Sequence, residues 1–453
     1  MTKKVAMSQP RGGGTNRWWA FVCAVLVIIY GHAVGYRLLE YYRTGTGGIA
    51  TLGLAAILLI ALCAVLLKIL LESKVPGGIS GVLFILYVML GFLSVLPMWL
   101  YFGTVDFHQW LIGFYKCVLP ISLVFAAYFA MRGVNQAYNL LSVIALINGL
   151  LGGIGLITYF LGDTWVNFYL QLPDVEKLPL HFGGVLRMTS IVWNPLVFGI
   201  LMAVNGIMAW NLMRFSSTKR SLWGVVFCVS VVATVASFTR TGWIVLFVGV
   251  AGSSLLGLGK ISRRLGMICA VICVTAVLVL VLPLPLGDYN NMLEAVWGHV
   301  EASFVYENPR IDDVAINVRR IASYPIGYGL GTAGYAALPT RDRDSVVVLP
   351  DYVAADNNYL SMLLQVGIAG VMLFVCALLV AVRRYVMGFR RARSARARAV
   401  VGIGVGVVVG MGVGAMFLNV WEYNVVPHVA YIVMGSALKV SGMRLGGRDE
   451  YLG

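Results

Sequence analysis

Asp356–Phe374 reads DNNYLSMLLQVGIAGVMLF. Beyond Tyr359 it is apolar enough to enter a lipid bilayer, yet it opens on an acid and two amides and follows a long polar segment. Its meaning depends on which side of a membrane those three residues face. The rest of the chain makes a membrane the right setting. Of its 453 residues 60% are hydrophobic and 12% charged, and the mean hydropathy is +0.86, far above a water-soluble domain.

Apolar runs long enough to cross about 30 Å of hydrocarbon as helices lie near 18–36, 49–71, 80–101, 109–131, 139–161, 188–213, 221–238, 242–259, 266–284, 357–382, 399–420 and 426–440. The expected fold is therefore an all-α polytopic membrane protein with about 12 transmembrane helices. A β-barrel needs short alternating segments, and these runs are continuous.

Lys and Arg set the orientation. With both termini cytoplasmic, the inner segments hold 23 of the 34 basic residues, including Lys3, Lys4, Arg214, Lys219, Arg220 and the run from Arg383 to Arg398. They hold three of the 19 acids: Glu72, Asp449 and Glu450. The net charge of +15 thus records topology. RRYVMGFRRARSARARAV sits between two spans, so it is read as a loop against anionic headgroups, with no nucleic-acid motif beside it. The N-terminal run is read as a retained first helix.

All seven cysteines (Cys23, Cys63, Cys117, Cys228, Cys269, Cys273, Cys376) lie in expected spans, as small packing residues do. Neither they nor the five histidines form a ligand set, so no metal or cofactor is expected.

Two connections are long: residues 162–187, and an outer segment at 285–356. In the second, Ile311, Val314, Ala315, Val318 and Ile321 recur at helical spacing, which predicts a short amphipathic surface helix ended by Pro325 and followed by a glycine-rich turn.

Charges near the apolar runs are expensive and need a cavity or a partner. Lys116 lies within QWLIGFYKCVLPI, Arg187 opens RMTSIVWNPLVFG, and Arg240 interrupts VASFTRTGWIVLF. By the expected topology all three sit at or below the outer face, with Arg310 in the loop above. Each has a plainer reading: a snorkelling anchor for Arg187, a structural salt bridge for Lys116, a tight turn for Arg240. Together they suit a polyanion, because the arginine fork matches phosphate or pyrophosphate. Asp356, Asn357 and Asn358 likewise have a plain reading as helix caps.

Four stretches give the chain a family likeness. Asp356-Asn357 is followed by nine residues and then Gly367-Ile-Ala-Gly370; SFTRTGW carries Arg240; NPRIDDVAINVRRIASYPIGYGLG carries Arg310 before Pro325-Ile-Gly327-Tyr-Gly329; and RMTSIVWNPLVFG places Arg187 and Asn194. These resemble the O-antigen ligase and O-antigen polymerase superfamily of bacterial inner-membrane glycosyltransferases, over roughly 187–382. The division that follows is an N-terminal bundle at 1–186, the ligase/polymerase-like region at 187–382 with its periplasmic loop at 285–356, and the basic loop with the last two spans at 383–453.

The resemblance implies a multi-pass inner-membrane enzyme whose site faces the periplasm. It would transfer sugar chains from undecaprenyl pyrophosphate to a hydroxyl, without a metal and with inversion. Arg240 and Arg310 would steady the pyrophosphate, Arg187 and Lys116 would assist, and Asn194 would align beside them. Asp356 would act on the acceptor hydroxyl with Asn357 as its neighbour and Glu422, in NVWEYN, in reserve. The implied partners are a lipid-linked oligosaccharide, membrane lipids and a chain-length regulator. Where the ligases have a histidine, this chain has Asp356, ionised but weakly basic. That favours a polymerase of O-antigen, capsule or exopolysaccharide repeats over a ligase acting on lipid A-core. A transporter or flippase of lipid-linked anions needs the same cations without chemistry.

Overall fold

The computed structural model describes residues 58–60, 62–63, 67–68, 75–162, 164–166, 181–182, 185–192, 194–216, 218–256, 309–337, 357–423 and 425–443. In chain order these form α1 (Ile79–Leu93), α2 (Val95–Phe102), α3 (Phe107–Cys117), α4 (Ser122–Ala130) and α5 (Val134–Phe160). There follow a two-residue hairpin (β1, His181–Phe182; β2, Val185–Leu186), α6 (Pro195–Phe215), α7 (Arg220–Ala236) and α8 (Arg240–Leu255). After these come α9 (Pro309–Ser323), α10 (Gly334–Ala337), α11 (Asn358–Arg391), α12 (Ala395–Gly414) and α13 (Val426–Gly442).

Six stretches among the described residues are long and apolar enough to cross a membrane: Ile79–Phe102, Phe107–Ala130, Val134–Phe160, Pro195–Phe215, Asn358–Arg391 and Ala395–Gly414. α7 and α8 are apolar but only 17 and 16 residues long. The surface is inverted relative to a water-soluble bundle: Leu150, Ile157, Met372 and Leu379 face outward, while Asn148, Asn205, Asn211 and Ser230 are buried. Lipid supplies no hydrogen bonds, so polar groups turn inward. The chain is a helical, multi-pass membrane protein.

Of the twelve expected runs, 18–36 and 266–284 lie outside the described residues and 49–71 does so in large part. The remaining nine are found as helices, with corrections. Runs 80–101 and 109–131 are each broken, at Ser94 and at a 3₁₀ turn, Leu119–Ile121, where Pro120 interrupts the ladder. Run 188–213 does not start at 188. Asn194 caps α6, its Oδ1 accepting from the backbone of Leu196 (2.9 Å) and Val197 (3.1 Å), and Pro195 takes the first helical position. Arg187 therefore precedes the span instead of opening it. Run 357–382 continues to Arg391, which puts nine basic-loop residues, 383–391, into the helix.

The amphipathic surface helix predicted from 311–321 is present as α9. Ile321 and Asn317 face the protein, whereas Val318 is 51% exposed and Ala315 is exposed. The periodicity located the helix, and Ile321 joins Tyr328, Ala333 and Leu364 in a small buried cluster.

The bundle has two distinct ends. One gathers the starts of α5, α7 and α12 with the ends of α6, α8, α11 and α13, and it is basic: Arg396 Nη1 donates to Asn135 (2.6 Å) and Arg214 Nη1 to the Ser253 carbonyl (3.1 Å). The other gathers the starts of α3, α6, α8, α11 and α13 and the end of α12.

α8 and α12 cross closely because both present small residues. A β-carbon on Gly410 would lie 2.6 Å from the Val245 carbonyl oxygen, and one on Gly249 would lie 2.7 Å from that of Gly406. Gly410→Leu is therefore expected to separate the helix that starts at Arg240 from its neighbour. Membrane-inserted protein should fall severalfold on quantitative blotting. Gly153→Leu on α5, where a β-carbon would meet nothing within 4 Å, is expected to accumulate normally.

Candidate functional site

The site begins with a backbone fit. The loop from Pro325 to Gly334 alternates glycines with positive φ at 327 (87°), 329 (103°), 331 (81°) and 334 (66°). Each serves a different wall. A β-carbon on Gly327 would lie 2.6 Å from the Gly367 amide, one on Gly329 2.7 Å from Met98 Cβ, and one on Gly331 2.3 Å from the Gln109 carbonyl. Gly367 answers from the other side: its φ of 71° and ψ of −176° interrupt α11, and Ile368 donates to the Pro325 carbonyl at 3.0 Å. Tyr328 and Gly329 donate to the carbonyls of Leu364 (2.6 Å) and Gln365 (3.0 Å). The loop thus takes up hydrogen-bonding groups that the break in α11 releases.

Side chains fix the loop further. Gln365 Oε1 accepts from the Gly331 amide at 2.8 Å, and Gln109 Nε2 donates to the Gly331 carbonyl at 2.8 Å. Gln365 Nε2 donates to Ser361 Oγ (2.8 Å), and Ser361 Oγ donates in a short contact to Glu422 Oε1. Asn358 Nδ2 approaches the same oxygen at 3.4 Å and Gln365 Nε2 at 3.5 Å. Glu422 is 1% exposed, a buried carboxylate on which three donors converge. Next to it, Lys116 Nζ donates to the Tyr335 carbonyl (3.2 Å) and lies 4.3 Å from the centre of the Tyr335 ring, which meets Tyr423 edge-on at 4.7 Å.

A second group lies at the turn between α7 and α8. Ser237, Phe238 (φ 50°) and Thr239 reverse the chain so that Arg240 becomes the first residue of α8. Arg187 is 8% exposed; its Nε donates to the Ser237 carbonyl at 3.0 Å and its Nη2 approaches Thr239 Oγ1 at 3.5 Å. Thr239 Oγ1 also donates to the Pro195 carbonyl at 3.0 Å, tying the starts of α6 and α8 together. Arg187 and Arg240 therefore flank one turn.

The end of α12 joins the two groups. A β-carbon on Gly414 would lie 3.4 Å from the Thr241 methyl, and Asn358 donates from its backbone to the Ala415 carbonyl at 2.9 Å. The rim carries aromatic rings: Tyr101 meets Tyr328 at 4.5 Å, and Tyr324 stacks on Tyr328 at 5.3 Å. Burial, with Tyr101 close by, raises the Tyr328 hydroxyl above its usual range, so it stays protonated and donates to the Arg320 carbonyl (3.2 Å).

Several residues singled out in the sequence now have places. Asn194 is a helix cap. Asn357 caps α11, accepting from Tyr359 (3.0 Å) and Leu360 (3.2 Å), while its Nδ2 donates to the Met416 carbonyl at 2.9 Å. Lys116 and Glu422 stand at the glycine loop, and Arg187 stands with Arg240 at the turn. Arg310 lies in the first turn of α9. Asp356 lies outside the described residues. Asn358, Ser361 and Gln365 were not picked out. Their spacing of three and four along an apolar run places them on one face of α11, which is the signal that would have found them.

Residues 223–375 match the family model described as O-antigen ligase. The match includes Arg240, Arg310, Asp356, Asn357 and the Gly367–Gly370 motif; Lys116, Arg187, Asn194 and Glu422 fall outside it. No curated protein matches the chain.

Glu422→Leu removes the acceptor that Ser361, Asn358 and Gln365 share. It is expected to lower the thermal stability of the detergent-purified protein by about 2 kcal/mol, the scale of one orphaned buried donor. Asn194→Ala is expected to cost about 1 kcal/mol as a lost cap. Melting curves of the two variants check both values.

Proposed function

We propose, on the premise that residues 223–375 are an O-antigen ligase family domain, that the chain polymerises oligosaccharide repeats carried on undecaprenyl pyrophosphate. The observation that carries this reading is the turn at 237–239, where Arg187 packs against the residues that launch Arg240. That turn lies at the end of the bundle opposite the basic end. With Arg383 to Arg398 on the cytoplasmic side, it faces the periplasm.

In this reading Arg240 and Arg310 hold the pyrophosphate. As the bond from the sugar's anomeric carbon to the pyrophosphate oxygen breaks, negative charge grows on that oxygen, and fixed guanidinium groups stabilise it most when water is excluded. The acceptor hydroxyl attacks from the opposite face, inverting the anomeric centre and giving its proton to Asp356. Lys116 and Arg187 supply supporting positive charge. Glu422 is assigned to anchoring, because its Oε1 already receives Ser361, Asn358 and Gln365. Ligation to lipid A-core is the second reading, favoured by the description of the matched family.

Arg240→Ala and Arg310→Ala are each expected to abolish product while the protein still inserts and accumulates. The assay incubates purified protein with lipid-linked repeats, with and without lipid A-core, and resolves the products on a gel. A ladder from repeats alone indicates a polymerase, product that requires lipid A-core indicates a ligase, and an unchanged donor indicates a carrier. Normal chain length in both variants contradicts the assignment of the arginines.

A further inference from the structure

Two walls fix the depth of the glycine loop. The first is α11, whose first basic residue, Arg383, stands at the basic end of the bundle. About 20 helical residues cross about 30 Å of hydrocarbon, so the far boundary falls about 20 residues before Arg383. Gly367 is then about 6 Å inside it. A β-carbon there would lie 2.5 Å from the Pro325 carbonyl oxygen. The second wall is the span Ile79–Phe102. A β-carbon on Gly78 would lie 3.3 Å from Arg384 Nη1, so this span starts level with the same basic residues. The same count ends near Met98, which leaves Ser94 about 6 Å inside. A β-carbon on Gly329 would lie 3.0 Å from the Ser94 carbonyl oxygen. Both walls give the loop the same depth, below the boundary of the leaflet opposite the basic end.

At that depth the loop is open on its outward side. Pro325 is exposed and Ile326 is 50% exposed. Ile368 beside them is 47% exposed, and it shares one outward stripe of α11 with Met372 and Leu379, four and eleven residues further on. On the other flank Tyr101 meets Tyr324 (5.2 Å) and Tyr328 (4.5 Å), and Trp99, Leu100 and Tyr101 are exposed as an interfacial aromatic belt is. A lone exposed isoleucine on a water-facing loop needs no explanation. Ile326 differs, because lipid-facing surface continues on both sides of its loop.

Irregular backbone persists in hydrocarbon only where its polar groups are met internally. Pro325 has no amide hydrogen, and its carbonyl accepts from Ile368 (3.0 Å). Gly327 donates to the Tyr324 carbonyl (3.1 Å), and the exposed Ser323 hydroxyl turns back to the Arg319 carbonyl (3.0 Å).

We propose that this stretch is re-entrant: residues 324–329 dip into the leaflet opposite the basic end, and Pro325 and Ile326 lie against its acyl chains. The long segment at 285–356 is therefore not wholly outside the membrane. The dip ties the C-terminal end of α9, the helix whose first turn holds Arg310, to the leaflet. It stands whether or not the protein transfers sugars.

The full-length protein with Ile326→Cys tests it, its seven native cysteines changed to alanine, carrying a nitroxide and reconstituted in vesicles of phosphatidylethanolamine and phosphatidylglycerol. Collisions with oxygen, which concentrates in hydrocarbon, and with a water-soluble nickel chelate read the label's surroundings. The oxygen-to-nickel ratio at 326 is expected to lie severalfold above that of Thr104→Cys, in the exposed turn between α2 and α3, and to approach that of Met372→Cys. A ratio equal to that at 104, or a label that neither reagent reaches, overturns the proposal. A second pair needs no cysteine replacement. Ile326→Asp is expected to lower membrane-inserted protein severalfold on quantitative blotting, while Ile326→Ala stays within twofold of the unaltered protein. Equal levels of the two variants overturn it as well.

Discussion

The side-chain amide of Gln365 is the interaction on which the end of the bundle where α3, α6, α8 and α11 begin depends. α11 breaks at Gly367, and Gln365 lies two residues before the break. From there it receives the Gly331 amide on one atom and reaches Ser361 and Glu422 with the other. The loop carrying α9 is in this way joined to the helix that begins at Asn358. If the amide is lost, Gly331 loses one of its two side-chain partners and a donor to the buried carboxylate disappears with it.

The constraint explains why glycine recurs in both motifs of the family likeness. A β-carbon on Gly327 would enter the main chain at Gly367, and one on Gly367 would enter the main chain at Pro325 and Ile326. Pro325-Ile-Gly327-Tyr-Gly329 and Gly367-Ile-Ala-Gly370 are two halves of one joint. Catalytic chemistry need not enter that explanation; the glycines hold the loop so that other residues can act.

Much of this was legible in the sequence. Apolar runs located nine of the described helical spans to within a few residues, because a bilayer dictates length and polarity together. Arg187 and Arg240 stood out because charge beside lipid is costly, and the structure brings them to one turn. The breaks at Ser94, Pro120 and Gly367 were missed, since hydropathy does not register a kink inside an apolar run. The surface helix α9 was legible from its periodicity, while the burial of Asn317 on it was not. The opening DNN has two answers in the described residues. Asn357 caps the helix, while Asn358 holds the following turn through the Trp421 amide (2.6 Å) and Glu422.

The central claim is that a diphosphate lipid is held at the end of the bundle where α6 and α8 begin, and not at the basic loop opposite, which also attracts anionic lipid. An undecaprenyl pyrophosphate analogue with a diazirine next to the pyrophosphate, photolysed in the native membrane and mapped by peptide mass, measures this directly. The account predicts adducts in the peptides holding residues 185–192 and 237–243. Adducts concentrated between Arg383 and Arg398 would contradict it.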